Sequence, residues 1–129
     1  MNTSQMIIAA CVLVVGFLGL QKVLGQKSPS LSVSEAAKLL SDKSYTWIDV
    51  READELKGSL GKIPQIRNFP LSTLSDSLKN LTLSKDAKII LVCRSGNRSR
   101  QAQKLFLNAG YSGAINMQGG MLAWKSLNP

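Results

Sequence analysis

Cys93 stands at the end of the apolar run KIILV and is followed at once by Arg94-Ser95-Gly96-Asn97-Arg98-Ser99. Cysteine attacks as the thiolate, and a thiol of ordinary pKa, about 8.5, is only about 3% ionised at neutral pH. The neighbouring residues supply what ionisation needs. Backbone N–H groups from Arg94 to Ser99 can curl around the sulfur, a following helix would aim its positive end at it, and two guanidinium groups lie close by. Lowering the pKa by about two units takes only about 2.7 kcal/mol of preferential anion stabilisation. Gly96 suits a turn that a side chain would obstruct, and Asn97 tolerates left-handed backbone. The chain has no histidine, which excludes Ser-His and Cys-His pairs, His-based acid/base work and the commonest metal ligand. Chemistry here must use cysteine, carboxylate, arginine or lysine, and nothing calls for a metal or a cofactor.

The elements that must position this loop are legible around it. Residues 88–92 read as a central parallel strand covered on both faces, and residues 99–108 as a helix stopped by Gly110. Residues 45–50 (YTWIDV) read as a buried strand ending at Asp49, and residues 51–57 as a short helix broken by Gly58, Gly61 and Pro64. Ser32 and Glu35 form a capping box for a first helix running to about Ser41, with Val33, Ala36, Ala37 and Leu40 on one face. Leu71, Leu74, Leu78 and Leu81 recur at helical spacing, with Ser72 or Ser75 available as cap. A last strand over 114–117 leads through Gly119-Gly120 into a terminal helix with Leu122 and Trp124. Strands alternating with helices predict a three-layer α/β domain with a mainly parallel sheet, whose ligands bind outside the carboxyl ends of the strands.

The chain has 129 residues, enough for one domain, with 44% hydrophobic and 19% charged residues, which excludes a disordered or collagenous chain. Two cysteines, one of them (Cys11) inside an apolar run, give no disulfide framework. The formal charge of +8 favours anionic partners, yet no basic stretch interleaves with the few aromatics, so nucleic acid is not expected. Residues 6–24 hold the run MIIAACVLVVGFLGL and, at ~1.5 Å per residue, reach about 28 Å, close to the ~30 Å of a bilayer core if Lys22 snorkels. The five residues before the run carry no positive charge, which favours an uncleaved anchor over a signal peptide cut after Gly25. Lys22, Lys27 and Lys38 follow the span and put the soluble domain on the cytoplasmic side; export after cleavage is the alternative. The expected organisation is an anchor over 1–25, a linker over 26–30 and the domain over 31–129.

The heptad Cys93-Arg94-Ser95-Gly96-Asn97-Arg98-Ser99 resembles the active loop of the single-domain rhodanese-like sulfurtransferases. Trp47-Ile48-Asp49-Val50-Arg51-Glu52 and Gly119-Gly120-Met121-Leu122-Ala123-Trp124 are similar to that family's flanking signatures, in the same order, across residues 31–129. The resemblance implies that Cys93 takes a sulfane sulfur from thiosulfate or a persulfide, holds it as a persulfide and passes it to a thiol or to cyanide. It also implies that Arg94 and Arg98 grip the anionic donor while the amides of Ser95, Gly96, Asn97 and Ser99 stabilise the persulfide. Related phosphatases and arsenate reductases of this fold place five residues between Cys and Arg; four separate Cys93 from Arg98, and the smaller cradle favours sulfur over a tetrahedral phosphate. Where the family often reads Gly-His-Ile-Pro-Gly-Ala, this chain has Gly61-Lys62-Ile63-Pro64-Gln65-Ile66.

Other residues carry two readings each. Asp49 either caps a turn or pairs with Arg51 as structure, or supports the site by orienting a loop arginine, and Arg51 carries the same ambiguity. Arg100 and Lys104 form a solvated helix face or draw anions toward the pocket. Trp47 and Trp124 read as core, and Gly119-Gly120 as a turn. Two functions are compatible with the whole: a membrane-tethered sulfurtransferase, or a non-catalytic binding module of the same fold at the membrane.

Overall fold

The computed structural model describes residues 28–127. The expected membrane span and the first residues of the expected linker lie outside them; among the described residues no helix is long and apolar enough to cross a membrane.

Among the described residues five strands form one sheet: β1 (Ser30–Leu31), β2 (Tyr45–Asp49), β3 (Arg67–Asn68), β4 (Lys88–Val92) and β5 (Ala114–Met117). Their spatial order is β1-β5-β4-β2-β3, and every pairing is parallel. The helices are α1 (Val33–Ala37), α2 (Leu74–Lys79), α3 (Asn97–Asn108) and α4 (Gly120–Leu127), with 3-10 turns at Ala53–Lys57 and Leu71–Thr73. The expected parallel three-layer α/β architecture is present.

The layering follows from alternation along β4. Ile89 and Leu91 point to one face and meet Ile48, Leu74, Ala102, Phe106 and Tyr111, so that α2 and α3 cover this side. Ile90 and Val92 point to the other and meet Ala36, Trp47, Met117, Met121 and Trp124, which brings in α1 and α4. The side chains of Ile89, Ile90, Leu91 and Val92 are fully buried, each contributing about 1.5–3 kcal/mol. Trp47 and Trp124 pack edge to face with centroids 5.8 Å apart, the core role their sequence suggested.

Several boundaries move. Ser30, expected in a linker, is paired in β1 opposite Asn116, and Pro29 before it accepts hydrogen bonds from the Asn116 N–H and the Gln103 amide. Serine and proline composition reads as linker, but sheet pairing uses backbone groups that composition does not report. Ser32 and Glu35 do form the capping box, yet α1 ends at Ala37, where the chain turns toward β2. Ser72 and Ser75 do not cap α2; Thr73 occupies the N-cap position. Helix α3 starts two residues earlier than expected, directly from the loop after Cys93. Gln65, at the position where the family often has glycine, adopts φ 63°, a left-handed conformation that costs a side-chain-bearing residue about 1–2 kcal/mol.

Candidate functional site

Parallel strands bring their C-terminal ends to one edge, so the residues just beyond β2, β4 and β5 become neighbours. Asp49, Cys93 and Gly119-Gly120 occupy those positions. The thiol of Cys93 is buried. Its Sγ accepts a hydrogen bond from the Gly96 N–H at 3.0 Å and lies 3.3 Å from Ser99 Oγ. Gly96 is the N-cap of α3 at φ 100°, and a Cβ there would lie 3.2 Å from the Gly119 nitrogen. Glycine therefore serves both the left-handed turn and the close approach of the β5–α4 connection.

What turns the loop amides inward is the start of α4. The Met121 N–H donates to the Cys93 carbonyl at 2.8 Å and the Leu122 N–H to the Arg94 carbonyl at 3.0 Å. With those two carbonyls engaged by the unpaired N–H groups of a helix start, the sulfur is left facing donors. Burial pushes the Cys93 thiol pKa up; hydrogen bonds from the Ser99 hydroxyl and from the Ser99, Gly96 and Ser95 amides outweigh it, and the net shift is downward. Gly119-Gly120 is thus more than a turn, because its backbone lies against the loop.

Arg94, Ser95 and Asn97 sit exposed on the rim, while Ser99 is buried beneath the sulfur. Arg98 is half-buried and is held by Glu55, with its two terminal nitrogens 2.7 and 2.8 Å from the carboxylate oxygens. Glu55 carries no role in the sequence reading. The Arg98 guanidinium holds the Glu55 carboxyl down at about 2 from an ordinary 4.5, and the arginine's own pKa is raised in return. A carboxyl depressed in the folded state stabilises above its unfolded pKa and loses that contribution as pH falls through the folded value. The stability difference between wild type and Glu55→Gln is therefore expected to fade between pH 4.5 and about 2, read by urea unfolding; a difference constant with pH would refute the pairing.

Asp49 and Arg51 form the buried pair. Arg51 Nη2 lies 2.8 Å and Nε 3.1 Å from Asp49 Oδ2, and Arg51 also donates to the Gly61 carbonyl at 2.7 Å. Asp49 pairs with Arg51, and Arg51 in turn donates to the carbonyl of Glu55, the residue that holds Arg98. A groove of about 200 Å3 lined by Arg94, Arg51, Glu55, Gly58, Ser59 and Leu60 opens beside the loop. A larger one of about 560 Å3, lined by residues such as Leu40, Lys43, Trp47 and Arg67, has no residue of the Cys93 loop in its wall.

The Rhodanese-like domain family matches residues 32–127. The chain belongs to the rhodanese-like family. Among relatives, YtwF of Bacillus subtilis is 34% identical over 88 residues, covering 68% of this chain and 81% of that protein. The thiosulfate sulfurtransferase GlpE of Pseudomonas aeruginosa is 27% identical over 95 residues, covering 74% and 83%. The structure of the human single-domain sulfurtransferase TSTD1 superposes with a TM-score of 0.68 at 27% identity, covering 78% of this chain and 97% of that one. All three carry the name sulfurtransferase. The Cys93 loop of this rhodanese-like domain has the anion-holding geometry that such chemistry requires.

Proposed function

We propose that this rhodanese-like domain moves a sulfane sulfur from thiosulfate or a persulfide donor, through a persulfide on Cys93, to a thiophilic acceptor. The observation that carries the reading is the Cys93 sulfur held by the Gly96 N–H at 3.0 Å within a loop whose hydrogen bonds lower its pKa. The thiolate attacks the outer sulfur of thiosulfate; an S–S bond forms, the S–SO3 bond breaks, and sulfite leaves with the electron pair. A thiolate or cyanide then attacks the terminal sulfur, and Cys93 departs as thiolate. Arg94, beside the open groove, meets the donor anion, and Arg98 adds its charge from its position on Glu55. Ser95, Gly96, Asn97 and Ser99 supply the loop that receives the extra sulfur.

Thiosulfate is expected to add one sulfur atom at Cys93, and Cys93→Ser to gain none, read by mass spectrometry of the intact chain and its peptides. No adduct on the wild type would leave the non-catalytic binding module as the reading.

Residues 6–24 are proposed as a single membrane anchor with the domain on the cytoplasmic side, on the strength of the apolar run and the lysines after it. A membrane-impermeant maleimide should then spare Cys93 in intact cells that a permeant one labels; labelling by both would place the domain outside.

A further inference from the structure

Behind the Cys93 sulfur stands a second polar residue that the transfer scheme does not use. Asn116, on β5, is 2% exposed, and its side-chain Oδ1 lies 2.5 Å from the hydroxyl oxygen of Ser99, which lies 3.3 Å from Cys93 Sγ. The three groups are connected in turn, sulfur to hydroxyl to amide, and Ser99 has one proton to give. Protons can be counted along them. With the amide oxygen facing Ser99, the hydroxyl donates to Asn116, and its oxygen can only accept from a Cys93 S–H. That arrangement suits the thiol. A thiolate has no proton to offer, so a favourable contact requires Ser99 to turn its proton to sulfur. Two oxygens would then face each other at 2.5 Å with no hydrogen between them. A half-turn of the amide removes the conflict, because it brings Nδ2–H against Ser99 Oγ while leaving the side-chain outline unchanged.

We infer that Asn116 is a positioning residue for sulfur transfer: by turning its amide it directs the single Ser99 proton toward Cys93 when the sulfur is anionic and away from it when the sulfur is protonated. The inference rests on the proposed sulfurtransferase reading for its purpose, not for its geometry. Neither an aspartate nor an aliphatic side chain could do the same, since one only accepts and the other does neither. The downward shift that the Ser99 hydroxyl gives the thiol pKa is consistent with this, because it needs a donating hydroxyl.

Asn116 also lines a surface groove of about 380 Å3 whose wall includes Arg100, Lys104 and Gln118. Arg100 and Lys104, read from sequence as a solvated face or an anion lure, are exposed and share this groove wall with Asn116. The charged groups around the sulfur are Arg94 and Arg98 of the loop, Glu55 held by Arg98, and the Asp49–Arg51 pair beyond β2. Alkylation read at the Cys93 peptide reports the ionisation of Cys93 itself.

The test is the pH dependence of Cys93 alkylation by iodoacetamide on the full chain, followed at the Cys93 peptide so that Cys11 does not contribute. Asn116→Asp forces the Ser99 proton to the new carboxylate and is expected to raise the Cys93 midpoint by about one pH unit or more, the effect of a lost hydrogen bond to a charged group. In a Ser99→Ala background the same substitution should move the midpoint far less, because no hydroxyl remains to misdirect. Equal shifts in both backgrounds would mean that the aspartate acts only through its charge, and would overturn the inference. Should Asn116→Asp not fold, the wild-type chain still decides. The Asn116 side-chain amide resonances are expected to shift with the Cys93 midpoint and to lose that dependence in Ser99→Ala. Resonances that stay fixed as the thiol ionises would equally overturn it. A wild-type midpoint at the ordinary alkaline value would instead sink the sulfurtransferase reading, and the comparison between backgrounds would still decide Asn116.

Discussion

Gly120→Ala is expected to cost about 3 kcal/mol or more and to return the Cys93 thiol toward an ordinary alkaline midpoint, because Gly120 packs directly against the backbone of the reactive loop. Gly120 has φ 55°, and a Cβ built on it would lie 2.4 Å from the Cys93 carbonyl oxygen and 2.6 Å from the Arg94 carbonyl carbon and oxygen. All three are backbone atoms, so no rotamer change relieves the clash. Relief requires α4 to back away from the loop, which breaks the Met121-to-Cys93 and Leu122-to-Arg94 hydrogen bonds. Two hydrogen bonds at about 1 kcal/mol each and about 1–2 kcal/mol for a left-handed alanine give the figure. The chemical consequence follows from direction: a carbonyl no longer held by α4 is free to turn inward and place its negative end against the sulfur. Urea unfolding and the pH profile of Cys93 alkylation measure the two effects. Gly119→Ala separates them, since its Cβ would meet the Ala123 side chain at 2.7 Å instead; it should destabilise the helix while leaving the thiol midpoint near that of wild type. A Gly120→Ala protein within about 1 kcal/mol of wild type, with an unmoved midpoint, would refute the contact.

The asymmetry between what the sequence disclosed and what it hid follows from separation along the chain. Strand, loop and helix from Lys88 to Asn108 are contiguous, so the cysteine, its glycine turn and the helix start could be read in a single pass. Strand β4 matched because a run covered on both faces needs no partner to declare itself. The Glu55–Arg98 pair joins residues 43 apart, and nothing in the acidic stretch around Glu55 marks one carboxylate over another. Asn116 did leave a signal, a polar residue inside the apolar strand AINM, but its meaning depends on Ser99 arriving beside it, 17 residues away. Strands β1 and β3, two residues each, have no periodicity to detect and exist because an edge backbone finds a neighbour. The role of Gly119-Gly120 was hidden for a related reason: glycine pairs announce a turn, whereas which backbone the turn approaches is a tertiary fact.

The buried pair at the end of β2 leads to the second large effect. Asp49 and Arg51 are 0% and 1% exposed, and the carboxylate accepts from Arg51 Nε, from Nη2 and from the Arg51 backbone N–H at 2.9 Å. Asp49→Ala leaves the guanidinium in the same dry place with only the carbonyls of Gly61 and Glu55 for company. An uncompensated buried charge typically costs about 3–5 kcal/mol, a large part of the roughly 5–15 kcal/mol that a domain has in total. Urea unfolding should show that loss, and donor KM should rise with it, because Arg51 also fastens the segment whose Glu55 holds Arg98. The double variant Asp49→Leu, Arg51→Met removes both charges together. It forfeits the carbonyl contacts of Arg51, at about 1 kcal/mol each, but leaves no ion stranded, so it should be more stable than Asp49→Ala alone. If the single substitution costs less than about 1 kcal/mol, Arg51 is reaching water, and the pair cannot be what fixes the Ala53–Lys57 turn beside the Cys93 loop.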